Sequence, residues 1–167
     1  MKNKPLRDPI ASFEREARAA RRVGHNKCKC GEDKPLALIS GFNPPMCAAC
    51  KRERDGESPF DNHHPAGKAN DPATTPIPVN DHRAVLSPKQ YEWPEETWEN
   101  PEGSPLRAGA ASMRGYSETD GYLVASLLIP RAEMLEALDA FLKKRLGPKW
   151  WIGTDMEPFA PKRKPKR

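Results

Sequence analysis

The chain has 167 residues, about the length of one domain, and its 19 prolines and hydrophobic fraction of 37% leave material for only a small core. No basic start leads into an apolar stretch, and the longest apolar-rich run, residues 122–129, is too short to cross a bilayer. These features argue against a secretory signal and a membrane span, so we expect a soluble, intracellular, cytoplasmic protein without a membrane partner.

The net charge of +5 is unevenly distributed along the chain. Residues 1–27 hold eight basic and three acidic side chains, the last ten hold five and none, and residues 28–157 hold 15 and 20. The two ends are thus +5 each (8 − 3 and 5 − 0) and the centre is −5 (15 − 20). Basic ends favour contact with a polyanion such as DNA, through counterion release at phosphates. The alternative is that they serve solubility alone.

The first predicted element is a helix in a basic N-terminal arm. Residues 1–9 are polar and proline-containing, and we expect them to be disordered. Ser12 is then placed to cap a helix that reaches Val23. This helix has few apolar side chains and several arginines, so it either contacts phosphates or lies on the surface without a special function.

Two close pairs of cysteines follow, Cys28-Lys-Cys30 and Cys47-Ala-Ala-Cys50, separated by sixteen residues. In a reducing compartment such pairs are metal ligands more often than disulfides. Each short turn presents two thiolates, and the loop between the turns brings both pairs to one metal ion. Four cysteine ligands suit a tetrahedral Zn²⁺ in a closed, structural site. The alternatives are redox-active or simply buried cysteines, and His25 is placed to replace one ligand.

Three of the four histidines lie in residues 58–83, SPFDNHHPAGKANDPATTPIPVNDHR. His63 and His64 are adjacent, so on an extended strand their side chains face opposite sides. One ring can therefore bind a metal while its neighbour stays free.

The residues after this pair predict a hairpin and then a helix. Residues 66–73 have the composition of a chain reversal, and residues 74–79 can return as a second strand. Asn80 is a candidate N-cap for a short helix with His82 in its first turn. In this arrangement His63 and His82 converge.

Residues 91–103 form an acidic, proline-bounded linker that carries Trp93 and Trp98. We expect both tryptophans to pack onto the body of the protein, with partner binding as the alternative. A carboxylate of this linker could add a metal ligand, but no spacing selects one.

The C-terminal third is predicted to be helical. A helix is predicted from Pro105 to Ile129, with a break near Gly115 or Gly121 as an alternative to a continuous one, and a second helix starts at Pro130 and stops at Gly147. The second helix has a regular apolar stripe, expected either to pack on the first helix as an αα-hairpin or to form a homodimer interface. The stripe consists of Met134, Leu135, Leu138, Phe141, Leu142 and Leu146. Two tryptophans at 150 and 151 would cover the hairpin's end, and the basic tail suits nucleic-acid contact or a nuclear address.

The segment HHPAGKANDPATTPIPVNDHRAVLS, residues 63–87, resembles the HNH nuclease family, whose ββα-metal motif is a hairpin plus a helix around one divalent ion. The resemblance covers about 25 of the 167 residues, together with an upstream cysteine knuckle of the kind many members carry. It implies an endonuclease that hydrolyses phosphodiester bonds. If the family's residue roles are assigned to the matching positions of this sequence, His63 and His82 hold a divalent ion (Mg²⁺, Mn²⁺, Ni²⁺ or Zn²⁺), and His64 is the general base.

The sequence departs from the family pattern at two points. Pro78 and Asp81 stand where members often carry a cysteine pair beside the last histidine, so zinc binding rests on the four upstream cysteines. Ala73 stands where the family has the asparagine that orients the base. The nearby polar residues that could replace it are Asn70, Asp71 and Asn80, of which Asn80 is the catalytic candidate.

The predicted fold class is α+β: a small zinc knuckle and a ββα-metal hairpin-helix, then a C-terminal helical hairpin, with disordered basic termini. The predicted domains are a basic arm (1–24), the zinc knuckle with the HNH-like part (25–90), the acidic linker (91–103), the helical hairpin (104–152) and the basic tail (153–167). The predicted function is a metal-dependent DNA endonuclease.

Two other functions remain open: a non-catalytic zinc-binding module for DNA or a protein partner, and an unrelated intracellular zinc protein. The environment of His64 discriminates between them. A nuclease needs this ring unliganded and facing a cleft, whereas a structural site would recruit it or bury it.

Overall fold

A computed structural model of the protein describes residues 9–24 and 26–161. In this part the chain combines helices with two small, two-stranded sheets. It divides into two compact units, Met1–Tyr122 and Leu123–Arg167. None of the described helices is both long enough and apolar enough to span a membrane. The predictions for His25, for residues 1–8 and for residues 162–167 lie outside the described residues.

The first unit opens with helix α1, Pro9–Val23, which begins three residues before the predicted cap Ser12. Ala19 and Val23 are its buried side chains. They are four residues apart and therefore lie on one face of the helix. Arg18, Arg21 and Arg22 are exposed, whereas Arg15 is half-buried.

The cysteine-containing part is built on a hairpin and a short helix. Strands β1 (Leu38–Ile39) and β2 (Met46–Cys47) pair antiparallel, and helix α2 (Ala48–Arg54) follows at once. Because the strands have only two residues each, the hairpin depends on the small core behind it. That core consists of Val23, Cys28, Leu38 and Cys47.

A second hairpin follows. Strands β3 (Phe60–His63) and β4 (Thr75–Pro78) pair antiparallel, with Phe60 opposite Pro78 and His63 opposite Thr75. The predicted return strand is therefore present, one residue shorter at each end. Its Ile77 is fully buried, as the alternating pattern of a half-buried strand requires.

The helix after this hairpin occupies residues 79–90 without interruption. It consists of α3 (Val79–Asp81), a π-helical turn (His82–Leu86) and α4 (Ser87–Gln90). The prediction of Asn80 as N-cap is wrong, since the helix is preceded by Pro78 and Asn80 lies inside it. The reason is that its amide has other partners, described below.

Helices α5 (Glu95–Glu99) and α6 (Pro105–Leu123) complete the first unit. Trp93 is buried and Trp98 packs beside it, as predicted for these two residues. Helix α6 continues through Gly115 and Gly121, so the alternative with a break is wrong. Gly115 has a different role: a Cβ built on it would lie 1.7 Å from the carbonyl oxygen of Pro65. Only glycine allows this close approach of two backbones.

The second unit contains helix α7, Ile129–Leu146, preceded by a π-helical turn, Val124–Leu128. Every residue from 105 to 146 is helical, so the structure has no turn before Pro130, and the packing of the two helices as a hairpin stays a prediction. In the π-helical turn the N–H of Ile129 bonds to the carbonyl of Val124, five residues back. Pro130, which has no N–H, is thus accommodated at the start of α7, where a proline costs little.

Most residues of the apolar stripe of α7 are exposed; Met134, for example, is 59% exposed and Phe141 53%. Helix α7 does stop at Gly147, as predicted, with φ of +99°. Beyond it, the indole N–H of Trp150 donates to Asp139 (2.9 Å). The described part of the predicted disordered tail contains a short 3₁₀-helix, Glu157–Phe159.

Candidate active site and cysteine cluster

Four cysteines converge in the first unit. The sulfur atoms of Cys28, Cys30, Cys47 and Cys50 all lie within 4.8 Å of one another, and Cys30 and Cys47 are 3.6 Å apart at Sγ. Four thiolates around a tetrahedral zinc, at about 2.3 Å each, would be about 3.8 Å apart. The cluster could therefore hold a metal ion such as zinc.

Local backbone bonds set this geometry. The N–H of Gly31 donates to the carbonyl of Cys28, and the N–H of Cys28 donates to that of Glu32, both at 2.9 Å, which closes the first turn. In the second pair, the sulfur of Cys47 accepts from the N–H of Cys50 (3.4 Å) and caps α2. Each turn thus presents its two sulfurs to the same point.

The thiols of Cys28 and Cys50 differ in acidity. Burial disfavours the thiolate of Cys28, but backbone hydrogen bonds from Cys30 and Cys47 outweigh it and lower the pKa of Cys28 to about 6. Burial and the neighbouring sulfurs raise the pKa of Cys50. A cation that favours all four thiolates would remove this difference.

The structure brings two of the predicted histidines together. His63 ends strand β3 and His82 begins the π-helical turn of the next helix. Their ring centroids are 5.0 Å apart and the rings are inclined by 65°. The hairpin and the helix therefore hold two imidazoles side by side.

His82 is oriented by a carboxylate. Its Nδ1 lies 2.8 Å from Oδ2 of Asp61, whose Oδ1 accepts from Arg52 at 2.5 Å. Burial raises the pKa of Asp61, but the hydrogen bonds from His82 and Arg52 more than offset this and lower it. Since an ionised carboxylate only accepts, Nδ1 of His82 carries the hydrogen, and Nε2 is the ring nitrogen that this bond leaves for another partner.

His63 is 1% exposed, and its Nε2 lies 3.2 Å from Oγ1 of Thr119 in helix α6. Its Nδ1 is buried and has no hydrogen-bond partner in the part of the chain that the structure describes. Burial, together with the charges of His82 and His64, lowers the pKa of His63 to about 4. The ring is therefore neutral at pH 7 and offers a lone pair.

His64 is half-buried, and its side chain forms no hydrogen bond within the described residues; its Nδ1 is among the buried atoms that lack a partner. The backbone around it is fixed by Gln90, whose Nε2 donates to the carbonyls of His64 (2.7 Å) and Pro65 (2.9 Å). The main chain at His64 is thus fixed, whereas its ring has no hydrogen-bond partner among the described residues.

Asn80 does not orient His64, contrary to the prediction. Its Oδ1 accepts from the backbone N–H of Ala49 (2.9 Å), and its Nδ2 donates to Glu32 (3.2 Å). Both ends of the amide are therefore directed at the cysteine-containing part.

The other two candidates for this role also serve the backbone. Asn70 donates through Nδ2 to the carbonyls of Ala66 (3.1 Å) and Thr97 (2.9 Å), and Asp71 accepts from the N–H of Ala73 (2.8 Å). Among the residues that the structure describes, no asparagine side chain therefore forms a hydrogen bond to the ring of His64.

The cysteine-containing part is tied to the helix of His82 at two further points. Lys34 donates to Asp81 (2.6 Å), and Nε of Arg83 donates to the carbonyl of Leu36 (3.3 Å). Together with Asn80, three residues of this helix thus contact the cysteine-containing part, called the cysteine lobe below. The position of His82 depends on that lobe.

Sequence reasoning missed Asp61, Gln90 and Thr119. Asp61 could have been found, because residues two apart on a strand face the same side and Asp61 precedes His63 by two. Gln90 and Thr119 lie 26 and 56 residues from their partners, and no spacing rule links positions so far apart.

Compared with protein-family models, curated proteins and solved structures, the chain gave no match. Its function is therefore argued from the geometry of the histidines and cysteines alone.

Proposed function

We propose that the protein is an HNH-type, metal-dependent endonuclease that hydrolyses DNA phosphodiester bonds. His63 and His82 hold a divalent ion, and His64 is the general base. The observation that carries the proposal is the pair of imidazoles on a hairpin and the following helix, 5.0 Å apart, with a third ring next in the chain whose Nδ1 has no partner among the described residues.

The residues fit a cation by two criteria. Two imidazoles that bind one ion through nitrogens at about 2.0–2.1 Å have centroids about 5 Å apart when the bond angle is near tetrahedral. The buried Nδ1 of His63, without a hydrogen-bond partner among the described residues, is also the atom that a cation would satisfy. Two nitrogen ligands leave room for water and phosphate oxygens, so Mg²⁺, Mn²⁺, Ni²⁺ and Zn²⁺ all remain candidates.

A divalent ion at this position would neutralise the charge that develops on the phosphate during hydrolysis. The chain's own part is the proton transfer. His64 takes a proton from the attacking water, a task for which an imidazole is suited near neutral pH. Gln90 donates to the carbonyls of His64 and Pro65 and so fixes the backbone that carries this ring.

The cysteine cluster then has a structural role. A closed site of four thiolates has no open position for a substrate, which is typical of structural zinc. Asn80 and Asp81 connect the cysteine lobe to the turn before His82. We therefore assign the cluster to stability and to the placement of His82.

Helix α1 supplies a surface for the nucleic acid. Arg15, Arg18, Arg21 and Arg22 line a groove of about 460 Å³, and Arg15 is stacked over the ring of Tyr91, 4.0 Å from its centroid. Arginines in such a row contact phosphates and hold the duplex without reading its sequence.

The test is a plasmid-nicking assay with Mg²⁺, Mn²⁺, Ni²⁺ or Zn²⁺ added. His64→Ala should lower the rate at least about 100-fold, the usual contribution of a general base, with zinc content and melting temperature unchanged. Asn62→Ala, an exposed position on the same strand, is the matched control and should cleave like the wild type. No nicking by wild-type protein with any of the four ions would refute the proposal.

One observation favours the alternative, a non-catalytic zinc-binding module for DNA or a protein partner. Within the described residues, the four cysteines are the one group of three or more ligand side chains that converges. On this alternative the protein binds zinc and DNA but never cleaves it, and His64→Ala leaves DNA affinity unchanged.

A further inference from the structure

Helix α6 lies outside the hairpin-helix segment but packs directly against it. Gly115 brings its backbone onto the carbonyl of Pro65, where a Cβ would lie 1.7 Å from the oxygen. One turn further along, Thr119 lies beside His63, and the hydroxyl of Tyr122 donates to Asp81 (2.7 Å). One face of α6 thus contacts the turn after His63, His63 itself and the helix that carries His82.

The contact between Thr119 and His63 is fully enclosed. The two residues are 2% and 1% exposed, and Oγ1 of Thr119 is 3.2 Å from Nε2 of His63. A helical threonine commonly bonds back to the carbonyl four residues earlier. Here the hydroxyl is directed at the imidazole instead.

We propose that Thr119 is a positioning residue for the cation site: it accepts the hydrogen of Nε2 of His63 and so makes Nδ1 the ligand atom. The inference rests on the proposed function, since it concerns the same site. It adds a residue from outside the hairpin and helix, and it assigns the ring nitrogens.

The reason lies in the valence of the imidazole ring. A neutral ring has one N–H and one lone pair, so a cation on Nδ1 requires the hydrogen on Nε2. That N–H is buried and needs an acceptor, and Thr119 supplies the acceptor that the structure shows at this nitrogen. His82 has the reverse arrangement, with Nδ1 bonded to Asp61 and Nε2 left for the ion.

The first test compares Thr119→Val with Thr119→Ser. Valine keeps the shape but cannot accept a hydrogen bond, whereas serine keeps the hydroxyl. The cysteine cluster is loaded with zinc, and Co²⁺ binding is followed by calorimetry and visible absorption. Thr119→Val should weaken Co²⁺ binding at least about 10-fold, the usual effect of losing the outer partner of a ligand histidine, and Thr119→Ser should retain wild-type affinity. Equal affinity in Thr119→Val and wild type would overturn the proposal.

The second test does not depend on any variant folding. The ring nitrogens of His63 are observed by ¹⁵N NMR in zinc-loaded wild-type protein, before and after a second equivalent of Zn²⁺. We expect the resonance of Nδ1 to shift and Nε2 to carry the hydrogen. A shift of Nε2 instead, or none at His63, would overturn the assignment.

The two proposals can fail separately. If Co²⁺ binds and Thr119→Val weakens it, but no ion supports nicking, the role of Thr119 stands and the nuclease proposal falls. If wild-type protein nicks plasmid and Thr119→Val binds Co²⁺ equally well, the nuclease stands and the role of Thr119 falls.

Discussion

The cysteine cluster and the histidine pair are two sites built in different ways within one unit. The cysteines come from two short turns, and backbone bonds between close neighbours set their geometry. The histidines are held by side chains from distant elements: Asp61 on strand β3 orients His82, and Thr119 on helix α6 contacts His63. The geometry of the first site is encoded locally, whereas that of the second depends on packing between distant elements. The predictions below test this difference.

The largest effect is expected at the cysteine cluster. Cys47→Ser removes a fully buried ligand, and structural zinc contributes about 10–16 kcal/mol of apparent binding free energy. We expect loss of tight zinc, a stability decrease of several kcal/mol and loss of nicking, because the lobe that positions His82 unfolds. Zinc analysis and thermal unfolding measure this. A variant that keeps its zinc and its melting temperature would show that the cluster is not a metal site.

The packing of α6 on the histidine turn is tested by a pair of glycine substitutions. Gly115→Ala forces a methyl group into the carbonyl of Pro65 and should cost about 3 kcal/mol. Gly121→Ala has open space around it and should be neutral or stabilising by about 0.5–1 kcal/mol. Denaturant unfolding gives both values. Equal stability of the two variants would mean that α6 does not approach this turn closely.

The next largest effect is expected when the hydrogen bond between the Asp61 carboxylate and His82 is removed. Asp61→Ala leaves Nη2 of Arg52 and Nδ1 of His82 without their acceptor, which should cost about 1–3 kcal/mol. It should also weaken cation binding at the histidines about 10-fold, with zinc at the cysteines unaffected. Asp55→Asn, on an exposed carboxylate paired with Lys51, is the control. Calorimetric titration measures the cation affinity, and an unchanged value in Asp61→Ala would contradict the orienting role.

The smallest effect is expected at the link between the two sites. Asn80→Ala removes the hydrogen bonds to Ala49 and Glu32 and should cost about 1 kcal/mol. Zinc content should stay at the wild-type value while nicking decreases, since His82 is less firmly placed. If nicking is unchanged, the two sites are energetically independent.

The sequence was most informative where neighbours in the chain are also neighbours in space. Cysteine spacing indicated the cluster, and the hairpin-then-helix order around the histidines follows from turn residues and alternating strand positions. The role of Asn80 could not be predicted, because its amide partners are 31 and 48 residues away. The continuous helix across Pro130 was missed for another reason. A π-helical turn before a proline removes the expected interruption, and no known residue pattern predicts such a turn.

The close approach of Gly115 to Pro65 sets a lower limit on how far this protein can be shortened. A truncation at residue 100 would retain every cysteine and histidine. It would nevertheless remove helix α6 and so expose the ring of His63 and the turn at Pro65 to water. A minimal version should therefore extend through Tyr122, and during synthesis the histidine pair is completed only after that stretch has left the ribosome.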